Sequence, residues 1–167
     1  MRQKKMFVVV MILTVSWFVF IFYMSSQTAV SSGQMSKSVT KAAILTGEKV
    51  GVIKAGNLEL ALKRYDTIMR NTAHVGMYFI LACVMFSASW LWGLNKKVSV
   101  ILSFAVGIFI GIIDEINQMH FAGRNSGGVI SDGIEDLFRD TLGICIALML
   151  FVIVRVITEL PRKNKKI

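Results

Sequence analysis

Four apolar runs in this chain are long enough, or nearly long enough, to cross a lipid bilayer. The first, at about residues 6–24, carries no charge. As a helix it would be about 28 Å long, close to the hydrocarbon thickness of about 30 Å in a typical bilayer. The other runs cover about residues 73–94, 98–116 and 137–157. With 54% hydrophobic residues and one proline, the sequence predicts an all-α fold, a multi-pass membrane four-helix bundle.

The first run also has features of a secretion signal, because Arg2, Lys4 and Lys5 precede an apolar stretch. Its apolar run is longer than the corresponding region of most signal peptides. No convincing small-x-small cleavage site follows Tyr23. We therefore interpret the first run as a retained membrane helix.

Basic residues predict the orientation of the spans. The formal net charge is +9, and many of the cations lie beside the apolar runs: Arg2, Lys4, Lys5, Lys96, Lys97, Arg162, Lys163, Lys165 and Lys166. The pair at 96–97 lies in the predicted turn between the second and third spans. By the positive-inside rule, both chain ends and this turn are predicted to be cytoplasmic, in a protein of the cell membrane. The excess of basic residues is thus explained by the orientation of the spans in the membrane. Nucleic acid is not a predicted partner.

This orientation places residues 25–70 and 117–136 outside the membrane. The first of these segments begins rich in Ser, Gln and Thr, which predicts a loop. From Leu58 to Tyr65 the composition favours a helix, and Leu62 and Met69 extend one apolar face at helical spacing. We expect a short outer-face helix before the second span.

Polar residues from every span are predicted to meet at the outer end of the bundle. Ser25 and Ser26 end the first span. Two further sets enter other spans at i, i+4 spacing, which places each set on one helical face. The first set is Arg70, His74 and Tyr78, and the second is Asp136 and Asp140. Ionisable residues within membrane spans usually face the bundle interior and pair with one another. We therefore expect the basic residues to pair with the acidic ones, and a buried ion pair of Asp140 with Arg139 or Arg70 is one such expectation. The basic residues are Arg70, His74, Arg124 and Arg139, and the acidic ones are Asp114, Glu115, Asp136 and Asp140. The candidate ligand-binding residues are Arg70, His74, Tyr78, Asp114, Glu115, Gln118, Arg124, Asp136 and Asp140. Gly143 is expected to allow close helix approach at this level.

Five segments resemble the motifs of the VanZ-like family and keep the family's order. They lie at Phe22–Gln27, Arg70–Leu81, Asp114–Gln118, Phe121–Arg124 and Asp136–Gly143. The resemblance covers nearly the whole chain. It implies a bacterial multi-pass protein of the cell envelope, in a family named for proteins that lower susceptibility to teicoplanin.

The chain departs from the family pattern at two of these positions. Met77 stands where the family commonly has Glu, and Asp140 stands where it usually has Asn. The hydrogen bonds that the family makes at these two positions therefore cannot be carried over to Met77 and Asp140.

The function predicted from these residues and this resemblance is binding at the outer leaflet. The ligand would be a lipid-linked cell-wall intermediate or an amphiphilic glycopeptide or lipopeptide, in contact with membrane lipids, and the effect would be lower glycopeptide susceptibility. The alternative is a membrane-embedded enzyme acting on a lipid-linked substrate, with His74 as base, Asp114 or Asp136 orienting it, and Glu115 as acid. No known catalytic motif supports it.

A metal site is a third hypothesis. His74, His120 and nearby carboxylates offer ligands. No ligand spacing beyond the adjacent Asp114 and Glu115 supports such a site, so neither a metal nor another cofactor is predicted. The oligomeric state is left open.

Overall fold

The computed structural model describes residues 2–52, 54, 56–121 and 130–163. These residues form five α-helices and no β-strand: α1 (Arg2–Ser25), α2 (Ala29–Lys49), α3 (Leu58–Leu91), α4 (Lys96–Gln118) and α5 (Ile130–Lys163). Helices α1, α3, α4 and α5 each contain a stretch long and apolar enough to cross a membrane. The predicted all-α, multi-pass architecture is confirmed, and a further helix precedes the second span.

Helix α3 is the centre of the bundle and packs against all four other helices, most extensively against α5. Tyr78 and Leu81 of α3 are fully buried, as is Ile144 of α5. The close approach depends on Gly143, because a Cβ there would lie only 2.2 Å from the backbone oxygen of Val75. The prediction that Gly143 allows close helix packing is confirmed.

Helix α1 lies at the edge of the bundle. Only 6% of its most apolar stretch is buried. Ile21 is its one described side chain in the core cluster, and the Trp17 indole donates a hydrogen bond of 2.9 Å to the carbonyl of Met77. Near its start, the rings of Phe7 and Trp92 lie 4.8 Å apart. An apolar helix exposed in this way is suited to contact with lipid chains.

Residues 29–49 form a helix, so the prediction of a loop after Ser25 is wrong. Thr28 caps this helix, with its side-chain oxygen accepting a hydrogen bond from Ser31 N at 3.3 Å. Thr40 and Ile44 of α2 are buried. Of the other described helices, α3 is the one against which α2 packs extensively. Tertiary packing has overridden a polar composition with weak helix propensity.

The short helix predicted from Leu58 is present, but it continues into the second span as one helix. Asn57 caps its start by accepting hydrogen bonds from Glu59 N at 2.9 Å and Leu60 N at 3.2 Å. Ser36 of α2 donates to Asp66 Oδ1 at 2.6 Å. The N-terminal part of α3, before the second span, therefore packs against α2 and holds it in the bundle.

The turn between the second and third spans lies earlier in the chain than the sequence predicts. Helix α3 ends at Leu91, and Lys96 and Lys97 are the first residues of α4 rather than parts of the turn. Gly93 has φ +102°, a conformation that favours glycine. Asn95 caps α4 by accepting a hydrogen bond from Val98 N at 2.9 Å.

Candidate functional site

Buried polar side chains gather at the end of the bundle where α1 and α4 end and α5 begins. We call this the polar end. Asn117 joins two helices there, donating to Ser26 Oγ at 3.0 Å and to Ser25 Oγ at 3.3 Å. The Ser25 hydroxyl in turn donates to the Asp114 carbonyl at 3.4 Å. The ends of α1 and α4 are therefore held together by side-chain hydrogen bonds.

The Asp-Glu-x-x-Gln motif places three polar side chains inside the polar end. Asp114, Glu115 and Gln118 are all buried. The Gln118 amide donates to Asp114 Oδ2 at 3.1 Å and to Glu115 Oε1 at 3.4 Å. Gly133 of α5 lies opposite, and a Cβ there would come within 3.0 Å of Glu115 Oε2. The first turns of α5 thus leave room for the Glu115 carboxylate.

His74 connects α3 to α5. Its Nδ1 lies 3.0 Å from Asp140 Oδ1, and its Nε2 lies 3.9 Å from Asp136 Oδ2. Asp140 has no solvent exposure. A carboxylate only accepts hydrogen bonds when ionised, so the histidine nitrogen at 3.0 Å is the donor.

The contact of His74 with Asp140 is one of the predicted pairings, whereas the pairing of Asp140 with Arg139 or Arg70 is wrong. Arg139 instead pairs along its own helix with Asp136 and with Glu135, the latter at 2.7 Å. Adjacent helical residues point about 100° apart, so Arg139 faces outward when Asp140 faces the interior. Arg70 is exposed and forms no ion pair within the described residues.

The carboxylates of Asp114, Glu115 and Asp140 come together from two helices. One oxygen from each lies within 4.8 Å of the other two. Tyr78 is fully buried beside them. Across the described parts of the chain, neither its hydroxyl nor Asp140 Oδ2 has a hydrogen-bond partner.

Two small cavities open at the polar end and share Arg70 and His74. One, of about 170 Å³, lies between α1, α2, α3 and α4, where methionine side chains and Ile21 face Asp114 and Gln118. The other, of about 210 Å³, lies between α3 and α5 and reaches Asp136 and Arg139. Both cavities therefore combine a basic group at the rim with acidic groups.

The structure brings together most of the residues predicted for a site. His74, Tyr78, Asp114, Glu115, Gln118, Asp136 and Asp140 converge, and Arg70 lies at the rim of both cavities. Arg124 lies outside the described residues. The ligand-binding role of these residues stays a prediction.

Sequence reasoning missed Asn117, although it lies inside the motif. It also missed Gly111, where a Cβ would contact Leu137 at 2.9 Å and lie 3.8 Å from Asp140 Oδ2. A signal for Gly111 was available, because it lies one helical turn before Glu115 and four residues after Gly107. No such signal marks the pairing of Asn117 with α1.

Comparison with known proteins is consistent with this architecture. No curated protein and no solved structure shows significant similarity to the chain. A family model described as VanZ/LLP1 matches residues 9–155, which include the four apolar helices except for their outermost turns and every residue of the polar end. The chain is therefore a member of the VanZ/LLP1 family and a multi-pass membrane protein.

Proposed function

We propose that this protein is a bacterial envelope protein that binds the anionic headgroup of an amphiphile at the outer leaflet of the cell membrane. The amphiphile is a lipid-linked cell-wall intermediate or a lipoglycopeptide, and binding lowers glycopeptide susceptibility. Membership of the VanZ/LLP1 family supports a role in the envelope. The polar end supplies the binding groups.

The cavity of about 170 Å³ is the observation that carries this proposal. It is smaller than the roughly 300–1,000 Å³ of pockets that enclose a drug-sized ligand, so it suits a headgroup and not a whole amphiphile. Arg70 and His74 line one side of it, and a guanidinium group suits phosphate and carboxylate alike. Met24, Met35 and Met69 also line it, and their flexible apolar side chains can accommodate an acyl or prenyl chain.

The proposed orientation puts the polar end outside and both chain ends in the cytoplasm. It is supported by Lys4, Lys5, Lys96 and Lys97, which lie at the opposite end of the bundle. Single cysteines at Ser38 and at Gln3, both exposed, test this in a background lacking Cys83 and Cys145. We expect an impermeant thiol reagent to label position 38 in intact cells and position 3 only after lysis. Labelling of position 3 alone in intact cells would refute the orientation.

Headgroup binding is tested with purified protein in nanodiscs and a short-chain prenyl pyrophosphate as the probe. Arg70→Gln removes the exposed guanidinium at the cavity rim. Arg64→Gln is the matched control, because Arg64 is also exposed on α3 and lines neither cavity. We expect Arg70→Gln to weaken binding about tenfold, as for loss of one charge-assisted contact, and Arg64→Gln to leave it unchanged.

The same pair of variants tests the effect on susceptibility. Cells that express the wild type or Arg64→Gln are expected to tolerate more teicoplanin than cells that express Arg70→Gln. Equal susceptibility of all three strains, at equal protein levels, would count against a role in glycopeptide tolerance.

The geometry around His74 favours one alternative, acid-base catalysis on a lipid-linked substrate. Asp140 holds Nδ1 at 3.0 Å, which leaves Nε2 facing the cavity that Asp136 lines. In this alternative the orienting carboxylate is Asp140, at 3.0 Å from Nδ1, in place of the predicted Asp114 or Asp136. Turnover of a prenyl pyrophosphate by the wild type, lost in His74→Ala, would favour this alternative over binding alone.

A further inference from the structure

Three buried carboxylates stand closer together at the polar end than their charges alone would allow. Oxygens of Asp114, Glu115 and Asp140 lie within 4.8 Å of one another, and each residue is buried. Like charges at this distance repel strongly in a medium of low dielectric constant. A cation bound between the carboxylates would offset this repulsion.

Tyr78 gives an independent indication that a ligand is missing. Its side chain is fully buried, and its ring lies beside the cluster, because a Cβ at Gly111 would be 3.7 Å from the ring and 3.8 Å from Asp140 Oδ2. Within the described residues its hydroxyl has no hydrogen-bond partner. A buried hydroxyl without a partner is rare and costly, and it indicates an unseen partner such as an ion or its water.

The surroundings orient Asp140 and leave one of its oxygens for such a partner. His74 engages only Oδ1 of Asp140, and Oδ2 has no partner among the described residues. Oδ2 lies beside the Tyr78 ring, because a Cβ at Gly111 would be 3.8 Å from Oδ2 and 3.7 Å from that ring. A hydrogen bond to one carboxylate oxygen that fixes the direction of the other is typical of metal ligands.

We propose that Asp114, Glu115 and Asp140 bind a divalent cation of the size of Ca²⁺, with the Tyr78 hydroxyl facing the ion or its water. Carboxylate and hydroxyl oxygens are ligands of hard cations. Two oxygens bound to one Ca²⁺ stand at most about 4.8 Å apart when each bond is about 2.4 Å, and the oxygens of the cluster lie within this limit. Three carboxylates on one ion suit Ca²⁺ better than Mg²⁺, which usually keeps several waters and binds through one or two carboxylates. The proposed cation site does not depend on which amphiphile the protein binds at the outer leaflet.

The full-length protein, purified in detergent and stripped of metal with a chelator, provides the test. Tb³⁺ replaces Ca²⁺ as a luminescent probe, since the Tyr78 ring beside the site sensitises its emission, and added Ca²⁺ competes. We expect one displaceable ion per chain. Glu115→Gln is expected to weaken binding by at least about tenfold. Glu135→Gln, which neutralises an exposed carboxylate on α5, is expected to bind as the wild type does.

The thermal unfolding midpoint supplies a second measurement. Ca²⁺ is expected to raise it in the wild type and in Glu135→Gln, because a ligand that binds only the folded state stabilises that state. Glu115→Gln is expected to lose this increase, and Asp140→Asn provides a second variant of the cluster. Absence of any Ca²⁺ effect in the wild type overturns the proposal. Equal binding by the wild type and Glu115→Gln also overturns it, because the ion then binds elsewhere.

Discussion

His74 Nδ1 and Asp140 Oδ1 lie 3.0 Å apart and connect the two longest helices of the bundle, α3 and α5. Asp140 has no solvent exposure, and the His74 side chain is 17% exposed. The interaction thus joins a carboxylate in the core to a residue that also lines both cavities. Loss of either partner affects both packing and the proposed site.

We predict that His74→Ala lowers the free energy of unfolding by about 1–3 kcal/mol, because it leaves a buried carboxylate oxygen without its donor. Unfolding by SDS in mixed micelles, followed by circular dichroism, measures the change. His120→Ala is the control, since His120 is exposed and its Nδ1 contacts only a carbonyl of its own helix, that of Ile116 at 2.9 Å. Equal stability of the two variants would show that the His74 contact contributes nothing.

Gly143→Ala is expected to destabilise the bundle by about 1–3 kcal/mol, the usual cost of overpacking. The added Cβ would lie 2.2 Å from the Val75 oxygen, a backbone atom that moves only if α3 and α5 separate. Gly76→Ala is the matched control, because its Cβ would meet nothing within 4 Å and alanine favours a helix. SDS unfolding of both variants should show a loss for position 143 and no loss for position 76.

Ser36→Ala is predicted to loosen α2 from α3, since it removes the hydrogen bond to Asp66 Oδ1 at 2.6 Å. A loss of about 1 kcal/mol should speed tryptic cleavage after Lys49 or Lys54, which flank the connection between these helices. Ser38→Ala serves as the control, because that exposed hydroxyl donates only to the Gln34 carbonyl of its own helix. Identical cleavage rates for both variants would argue against docking through this bond.

Tyr78→Phe is expected to change the stability of the metal-stripped protein by less than about 0.5 kcal/mol, or to raise it, because the lost hydroxyl has no partner among the described residues. Tyr78→Ala should instead cost about 3–5 kcal/mol through loss of the buried ring. Thermal unfolding in detergent distinguishes these results. A large loss in Tyr78→Phe would reveal a hydrogen bond made by the hydroxyl.

The sequence was sufficient to predict the spans and the end at which polar residues meet. Bilayer thickness fixes the length of an apolar helix, and i, i+4 spacing places His74 with Tyr78, and Asp136 with Asp140, on single faces. The partner of each charge was not predictable in this way. It depends on the rotation of each helix about its axis, which the packing at Gly143 and Gly111 sets.

Helix α2 was missed for a different physical reason. Its serines, threonines and glycine favour turns when considered alone, and its stability comes from burial of Thr40 and Ile44. Only the partner surface on α3 makes a helix favourable there. The composition of residues 29–49 alone does not indicate that this surface exists.

The exposed position of α1 makes the polar end sensitive to the thickness of the membrane. With 6% of its most apolar stretch buried, this helix faces lipid over most of its length, so a mismatch between its apolar length and the bilayer favours a change in its tilt. A thinner bilayer would tilt α1 and draw Ser25 and Ser26 away from Asn117, and a thicker one would favour the upright helix. The α1 wall of the headgroup cavity would then open or close with the composition of the bilayer around it.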